Sequence, residues 1–329
     1  MIALVFLSCL SSKTNDSHVE TADTAEEIWI DEDGDGYFRN DRDALLVDCD
    51  DDHIEITPST HRYIPAGTFI RGWDLDTNTS PAMEITLSSY CIGVYEVTNA
   101  EFVVFMNEQR ERGFPNSTTT GDPLFDFADN DDPYPERIID NGDRYRTEEG
   151  YEQHPVVEVY RWSAKAYCES RGHQLPTEAQ WERAARGDEG QIFPWGDDAA
   201  SCQLANHWPQ PPPGDPPQEP CIDDTTPVGS YPAGAWSIYD MAGNVSEWVS
   251  DWYRADYYRE SPTADPIGPD SGWAEDPMNP DGFEAATARG GSLGSGSGSL
   301  RSFHRVPEPL EATSNGLGFR CAFQPTTMD

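Results

Sequence analysis

Positive charge is scarce in this chain. Its 329 residues carry 21 Lys and Arg against 60 Asp and Glu, a formal net charge of −39. A surface so acidic repels phosphate backbones, and no basic cluster offsets it, which excludes nucleic acid as a partner. Long apolar runs are missing too. The N-terminal run Ile2-Ala3-Leu4-Val5-Phe6-Leu7 is too short to span a bilayer, which takes about 20 residues. No Cys-x-x-Cys pair occurs, which argues against a thiolate zinc centre. Hydrophobic residues reach only 36%, below the usual globular share. Aromatics are plentiful, with 10 Trp and 14 Tyr beside 27 Gly and 27 Pro. That mixture describes long loops closed on an aromatic core, not a disordered chain. The excess of carboxylates calls for neutralisation, and divalent cations are the natural means; the plainer alternative is that acidity keeps a secreted protein soluble.

The first residues read as the end of a signal peptide. Leu7-Ser8-Cys9 resembles a bacterial lipobox, with Cys9 as the lipid carrier and membrane attachment point; plain secretion is the alternative. Either way the protein is expected to be exported, as a bacterial cell-envelope lipoprotein or a secreted protein. Setting Cys9 aside leaves Cys49, Cys91, Cys168, Cys202, Cys221 and Cys321. Six cysteines suffice for three disulfides, with connectivity left open by sequence alone.

Four regions follow from the pattern. Residues 1–9 are the residual signal segment, and 10–27 form a flexible acidic tether without periodicity. Residues 28–59 alternate carboxylates with glycine: Asp31, Asp33 and Asp35 fall in Asp31-Glu32-Asp33-Gly34-Asp35-Gly36-Tyr37, and Asp48 and Asp50 follow. Glycine lets such a loop fold back on a calcium ion. An EF-hand needs Glu at its twelfth position, where this loop has Arg42, so the segment instead resembles the short acidic metal-binding repeats of bacterial surface proteins. A solvated acidic linker is the alternative. Residues 60–329 form the main domain. Thr98 with Glu101 makes a capping box that opens a helix running to about Arg112, Ser163 opens a second, and Thr177 with Gln180 caps a third over 178–186. Strand-like stretches are 63–71, 83–92, 156–160, 228–231 and 318–323. Few elements and long loops define an irregular α+β class.

Turn and core motifs recur in a fixed order. They are Ile64-Pro65-Ala66-Gly67-Thr68-Phe69, Tyr95-Glu96-Val97-Thr98-Asn99, His154-Pro155-Val156-Val157, Leu175-Pro176-Thr177-Glu178-Ala179-Gln180-Trp181-Glu182-Arg183, Phe193-Pro194-Trp195-Gly196, Tyr239-Asp240-Met241-Ala242-Gly243-Asn244-Val245-Ser246-Glu247-Trp248, Arg289-Gly290-Gly291-Ser292 and Gly318-Phe319-Arg320-Cys321. In this content and order the chain resembles the formylglycine-generating-enzyme (sulfatase-modifying factor) family. The resemblance implies a C-type-lectin-like fold with few short helices and strands, held by calcium and disulfides. Trp181, Trp195 and Trp248 read as loop anchors. The side chains of Asp240 and Glu247, with the carbonyls of Gly243 and Val245, offer four oxygens within eight residues, which suits a hard cation; in the family the matching positions bind calcium. The alternative is a tight turn in which Asn244 and Glu247 only satisfy backbone donors. A second family calcium site maps onto Asn206 and the carbonyl of His207, with Asp223 or Asp224 as carboxylate. Cys168 and Cys321 match a family disulfide, Cys202 and Cys221 flank a Pro-rich loop, and Cys49 and Cys91 remain as the third pair.

One family feature is missing. The oxidation rests on two cysteines that bind copper(I), and their positions hold Ser295 and Leu300. No cysteine lies between Cys221 and Cys321, so no shift of register restores a thiolate, and copper is not expected. Gly290-Gly291-Ser292-Leu293-Gly294 formally matches G-x-S-x-G but is followed by glycines and serines, not by the helix that a serine nucleophile elbow needs. The pliable segment 290–299 instead reads as a binding cleft, with Ser292, Ser295, Arg301, His304 and Arg305 facing a peptide, a glycan or another envelope protein. The alternative is that these cations only pair with nearby carboxylates. The reading is a non-catalytic, calcium-stabilised surface binding or scaffold module. An oxidase of protein cysteine with a non-standard site and a purely structural envelope component are the other two readings.

Overall fold

In the computed structural model the described residues are Cys49, Thr57, and 59–127, 136–210, 219–276 and 279–325. Cys9, the tether, and Asp31, Asp33, Asp35, Asp48 and Asp50 lie outside them. The elements, in chain order, are β1 (His61–Ile64), β2 (Gly67–Arg71), β3 (Met83–Leu87), β4 (Tyr90–Gly93), α1 (Asn99–Glu111), β5 (Ile138–Asp140), β6 (Tyr145–Thr147), α2 (Arg161–Ser170), α3 (Glu178–Arg186), β7 (Ser246–Trp252), β8 (Ala274–Asp276), β9 (Asn279–Phe283), β10 (Ala285–Arg289), β11 (Val306–Pro309), β12 (Leu317–Phe319) and β13 (Ala322–Phe323). The architecture is the irregular α+β type expected, with small sheets linked by long loops.

Two helix starts form as read from sequence. Thr98 and Glu101 close a reciprocal capping box on α1, and Thr177 and Gln180 do so on α3. The start of α2 differs: it begins at Arg161 with no side-chain cap. Ser163 lies inside the helix, where its hydroxyl donates to the Pro123 carbonyl at 3.1 Å. The stretch 63–71 is two strands, because Pro65 has no N–H to continue a ladder. The stretch 156–160 forms only one isolated bridge, Val159 with Phe125, since Glu158 sits at φ 56°, outside the strand region. No strand forms at 228–231.

The central sheet has the order β11-β10-β7-β12, with β12 parallel to β7 and the other pairs antiparallel. A three-stranded sheet, β1-β4-β13, lies beside it in sequence logic, since β12 and β13 are separated by only Arg320 and Cys321. Neither β7 nor β10 is evident in the sequence. The former interrupts Trp248, Val249 and Trp252 with Glu247, Ser250 and Asp251, and the latter, Ala-Ala-Thr-Ala-Arg, is poor in strand formers. Burial of all five β10 residues, not propensity, makes it a strand. Against this sheet α1 and α2 pack an aromatic core in which Phe102, Phe105, Tyr167 and Phe319 meet ring to ring. Trp248 anchors the loop before α2, its indole N–H donating to the Val159 carbonyl at 3.1 Å. The disulfide implied by the resemblance, Cys168–Cys321, forms, and the four cysteines whose pairing sequence left open join as Cys49–Cys91 and Cys202–Cys221.

Helix α3 is buried on every side, including its charged residues. The Glu182 carboxylate accepts from the Gly72 amide (2.6 Å), Arg186 (3.0 Å), Arg289 (2.7 Å) and Tyr258 (3.2 Å). One turn earlier, Glu178 takes a two-pronged bond from Arg305 at 2.6 and 2.9 Å. Burial alone would raise Glu178, but Arg305 and Arg289 hold it below the usual carboxylate range. Asp251, which accepts from the Glu178 amide at 2.8 Å, goes the other way. Burial and the Glu178 charge push it from 3.8 up to about 7. Between those two values the native protein keeps a proton that the unfolded chain has released, so this group's contribution is full below pH 3.8 and is lost as pH rises towards 7. Replacing Asp251 by Asn, which keeps an acceptor for the Glu178 amide, should flatten that decline. Urea midpoints of both proteins at steps from pH 4.5 to 7.5 check this; parallel curves would count against it.

Candidate functional site

The expected calcium turn is formed by left-handed backbone. Asp240, Gly243 and Asn244 sit at φ 57°, 78° and 58°. A Cβ on Gly243 would come within 2.4 Å of the Asn206 carbonyl oxygen, so only glycine fits there. Asp240 Oδ2 accepts from the Gly229 amide at 2.6 Å, while its buried Oδ1 has no protein partner. Glu247, at the start of β7, is held on both oxygens: Arg320 donates at 2.7 Å to each, and Trp181 Nε1 at 2.8 Å to Oε2. Asn244 accepts from the Thr226 amide at 2.9 Å and donates to Glu96 at 3.1 Å, so the turn also satisfies itself.

Glu96 was not singled out from sequence. It lies in the Tyr95-Glu96-Val97 block, is only 2% exposed, and faces the same centre. Burial pushes it well above the usual carboxylate range, and Asp240 and Glu247 push it further. Burial likewise raises Asp240 to about 6, against the opposing effects of the Gly229 amide and Arg320. Three carboxylates here face the Arg320 guanidinium. Such an excess of buried negative charge is relieved by protons or by a cation. The donor set is all oxygen and Asp240 Oδ1 is orphaned, which fits calcium. Among the described residues no three His, Cys, Asp or Glu side chains converge as a ready-made metal cluster, so an ion here would have to draw on the carbonyls of Gly243 and Val245 as well as on carboxylates.

In the second expected calcium set, Asn206, the His207 carbonyl and Asp224 are bonded within the protein. Asn206 accepts from the Ile222 amide at 3.0 Å and donates to the Asp224 carbonyl at 2.7 Å. The His207 carbonyl accepts from the Cys221 amide at 2.9 Å. The Asp224 carboxylate already has a counterion in Arg137 at 2.6 Å and a hydroxyl from Tyr151 at 2.8 Å. Arg137 thus faces Asp224 as Arg320 faces Glu247.

In the cleft segment Ser292 donates its amide to Ser295 Oγ at 2.9 Å, and the two hydroxyls lie 3.3 Å apart. The Ser295 carbonyl accepts from the Trp208 amide at 2.9 Å. Leu300 is 0% exposed, packed with Phe193, Ala205 and Ala242. Arg301 is exposed and His304 half-buried, with burial and then Arg289 lowering the imidazole. Arg305 does not belong to the cleft. It is buried and bound to Glu178, as the ion-pairing alternative foresaw. An open groove of about 350 Å³, lined by Ile70, Trp73, Leu75 and Arg186 among others, contains none of the residues singled out from sequence.

The irregular, C-type-lectin-like α+β scaffold is the fold that the resemblance to the sulfatase-modifying factor family implies. The chain belongs to that family: residues 53–325 match the sulfatase-modifying factor enzyme 1-like domain. It is 33% identical over 291 residues to the formylglycine-generating enzyme of Streptomyces coelicolor, covering 79% of this chain and 87% of that protein. It is 31% identical over 334 residues to the serine/threonine-protein kinase Pkn1 of Chlamydia trachomatis, covering 96% of this chain. The chain spans only about half of that kinase, 48% of its length. Among solved structures it shares the fold of PvdO from Pseudomonas aeruginosa, with a TM-score of 0.58 at 24% identity over 80% of this chain and 94% of that one.

Arg320 is the cation on which the acid centre rests. Arg320→Met should leave Glu247 buried without its counterion and lower stability by roughly 3–5 kcal/mol. Urea unfolding measures this, and a loss below about 1 kcal/mol would place the compensation elsewhere.

Proposed function

We propose that this protein is an exported, calcium-stabilised binding or scaffold module on the sulfatase-modifying-factor fold, one that does not carry out copper-dependent oxidation. The observation that carries the reading is the pair Ser295 and Leu300. A hydroxyl and a buried hydrocarbon chain stand where two thiolates would be needed, and neither is a ligand for soft copper(I). Disulfides suit an oxidising compartment outside the cytoplasm, and a lipid on Cys9 would hold the protein at the envelope surface.

Calcium would sit at the Asp240–Glu247 turn, on those carboxylates and the carbonyls of Gly243 and Val245, where it would offset the buried negative charge that includes Glu96, and in the acidic segment with Asp31, Asp33, Asp35, Asp48 and Asp50. The cleft then serves recognition. Ser292 and Ser295 offer hydroxyls, Arg301 a cation and His304 an imidazole, and Trp208 beside them is 42% exposed. That set suits a polar or acidic peptide, a glycan or a neighbouring envelope protein.

Two measurements test the reading. Calorimetry with calcium and with chelator should show a calcium-dependent gain of about 2.7 kcal/mol at a hundredfold excess over the dissociation constant. Asp240→Ala should lose most of that gain, and an unchanged melting curve on metal removal would refute the role of calcium. Copper(I) titration should show no stoichiometric tight binding, and a sulfatase-derived cysteine peptide should remain a thiol. Aldehyde formation would overturn the proposal in favour of an oxidase with a non-standard site.

A further inference from the structure

The three disulfides differ in their surroundings. Cys49, Cys91 and Cys168 are 0% exposed and Cys321 5%, so two of the bridges are sealed in the interior. In the third, Cys202 is exposed and Cys221 half-buried. Cys221 Sγ lies 3.4 Å from Nδ1 of His207. The same nitrogen lies 3.2 Å from the Ala205 carbonyl oxygen. A carbonyl only accepts, so Nδ1 carries the proton and shares it between oxygen and sulfur. His207 is 0% exposed, which holds this donor in place. The arrangement is asymmetric: one cysteine is an exposed residue, and the sulfur of the other rests against a buried N–H.

We propose that Cys202–Cys221 is a thiol-exchange site whose substrate class is external thiols. The incoming thiolate attacks Cys202 Sγ and forms a new S–S bond with it. The Cys202–Cys221 bond breaks, and its electron pair leaves on Cys221 Sγ as a thiolate that accepts a hydrogen bond from His207 Nδ1–H. A second external thiolate then attacks the external sulfur of the mixed disulfide and releases Cys202. Two external thiols become one disulfide, the protein pair gains two electrons, and the two protons end on Cys202 and Cys221. Exchange of this kind depends on access to the attacked sulfur and on the stability of the leaving thiolate, and exposed disulfides are the labile ones. The pair is linked to the cleft. The His207 carbonyl accepts from the Cys221 amide, and the next residue, Trp208, donates to the Ser295 carbonyl, both at 2.9 Å. Opening the bridge removes the covalent restraint on this connection and loosens Ser295.

The test uses the full chain exposed to stepped concentrations of reduced glutathione, quenched in acid, alkylated and mapped by mass spectrometry. The first adduct should appear on Cys202, at thiol concentrations that leave Cys49–Cys91 and Cys168–Cys321 closed. Amide exchange at Trp208 should rise as the adduct forms. His207→Phe should slow adduct formation about three- to tenfold, through a poorer leaving group. An adduct on Cys221, simultaneous opening of all three bridges, or a His207 variant that exchanges at the original rate would overturn the proposal. Should His207→Phe not fold, the adduct position and the order of opening in the unmutated protein decide the question.

Discussion

Glu182, buried in the middle of α3, is the point on which the molecule converges. Its carboxylate is bonded to the amide of Gly72, the guanidinium groups of Arg186 and Arg289, and the hydroxyl of Tyr258. Those partners come from the loop after β2, from α3 itself, from the end of β10 and from the turn after β7. A buried carboxylate is costly unless every partner is present, so the network forms as a unit or not at all. Glu178 repeats the device one turn away with Arg305 and the Asp251-bound amide. In a chain with small sheets and long loops, these ion pairs supply the registration that larger sheets would give by hydrogen-bond ladders. The rare cations are therefore spent in the interior.

The acid centre beside Asp240 follows the opposite logic. There Glu96, Asp240 and Glu247 share Arg320, and the balance is left to protons or to an added cation. The two centres lie on adjoining elements, since Glu247 and Asp251 stand on the same strand. Trp181, on the same helix as Glu178 and Glu182, donates to Glu247 and joins them. The cleft loop grows from the Arg289 end of this framework, which explains how Gly- and Ser-rich chain at 290–299 is held on a rigid base.

Much of this was legible in the sequence. The capping boxes at Thr98 and Thr177 follow from side-chain chemistry, and the Cys168–Cys321 bridge and the fold class from the ordered motifs, while the other two disulfide pairings were open. What escaped depends on distant partners. β10 looks like no strand because its alanines become one only through burial between β11 and β7. Arg305 reads as a surface cation because Glu178, its partner, lies 127 positions earlier. Glu96 reads as part of a strand-to-helix turn, and only the folded chain sets it against Asp240. Ser163, a favourable cap residue, is drawn inside α2 because its hydroxyl finds the Pro123 carbonyl.

The parallel pairing of β12 with β7 has a consequence for biogenesis. Residues 317–323 bring β12, Arg320, Cys321 and β13 together, and with them the partner strand for β7, the counterion for Glu247, the sulfur for Cys168 and the third strand beside β4. During synthesis the Glu247 carboxylate and the strands β4 and β7 emerge before the segment that completes them, so this centre and both sheets close only when residues 317–323 arrive.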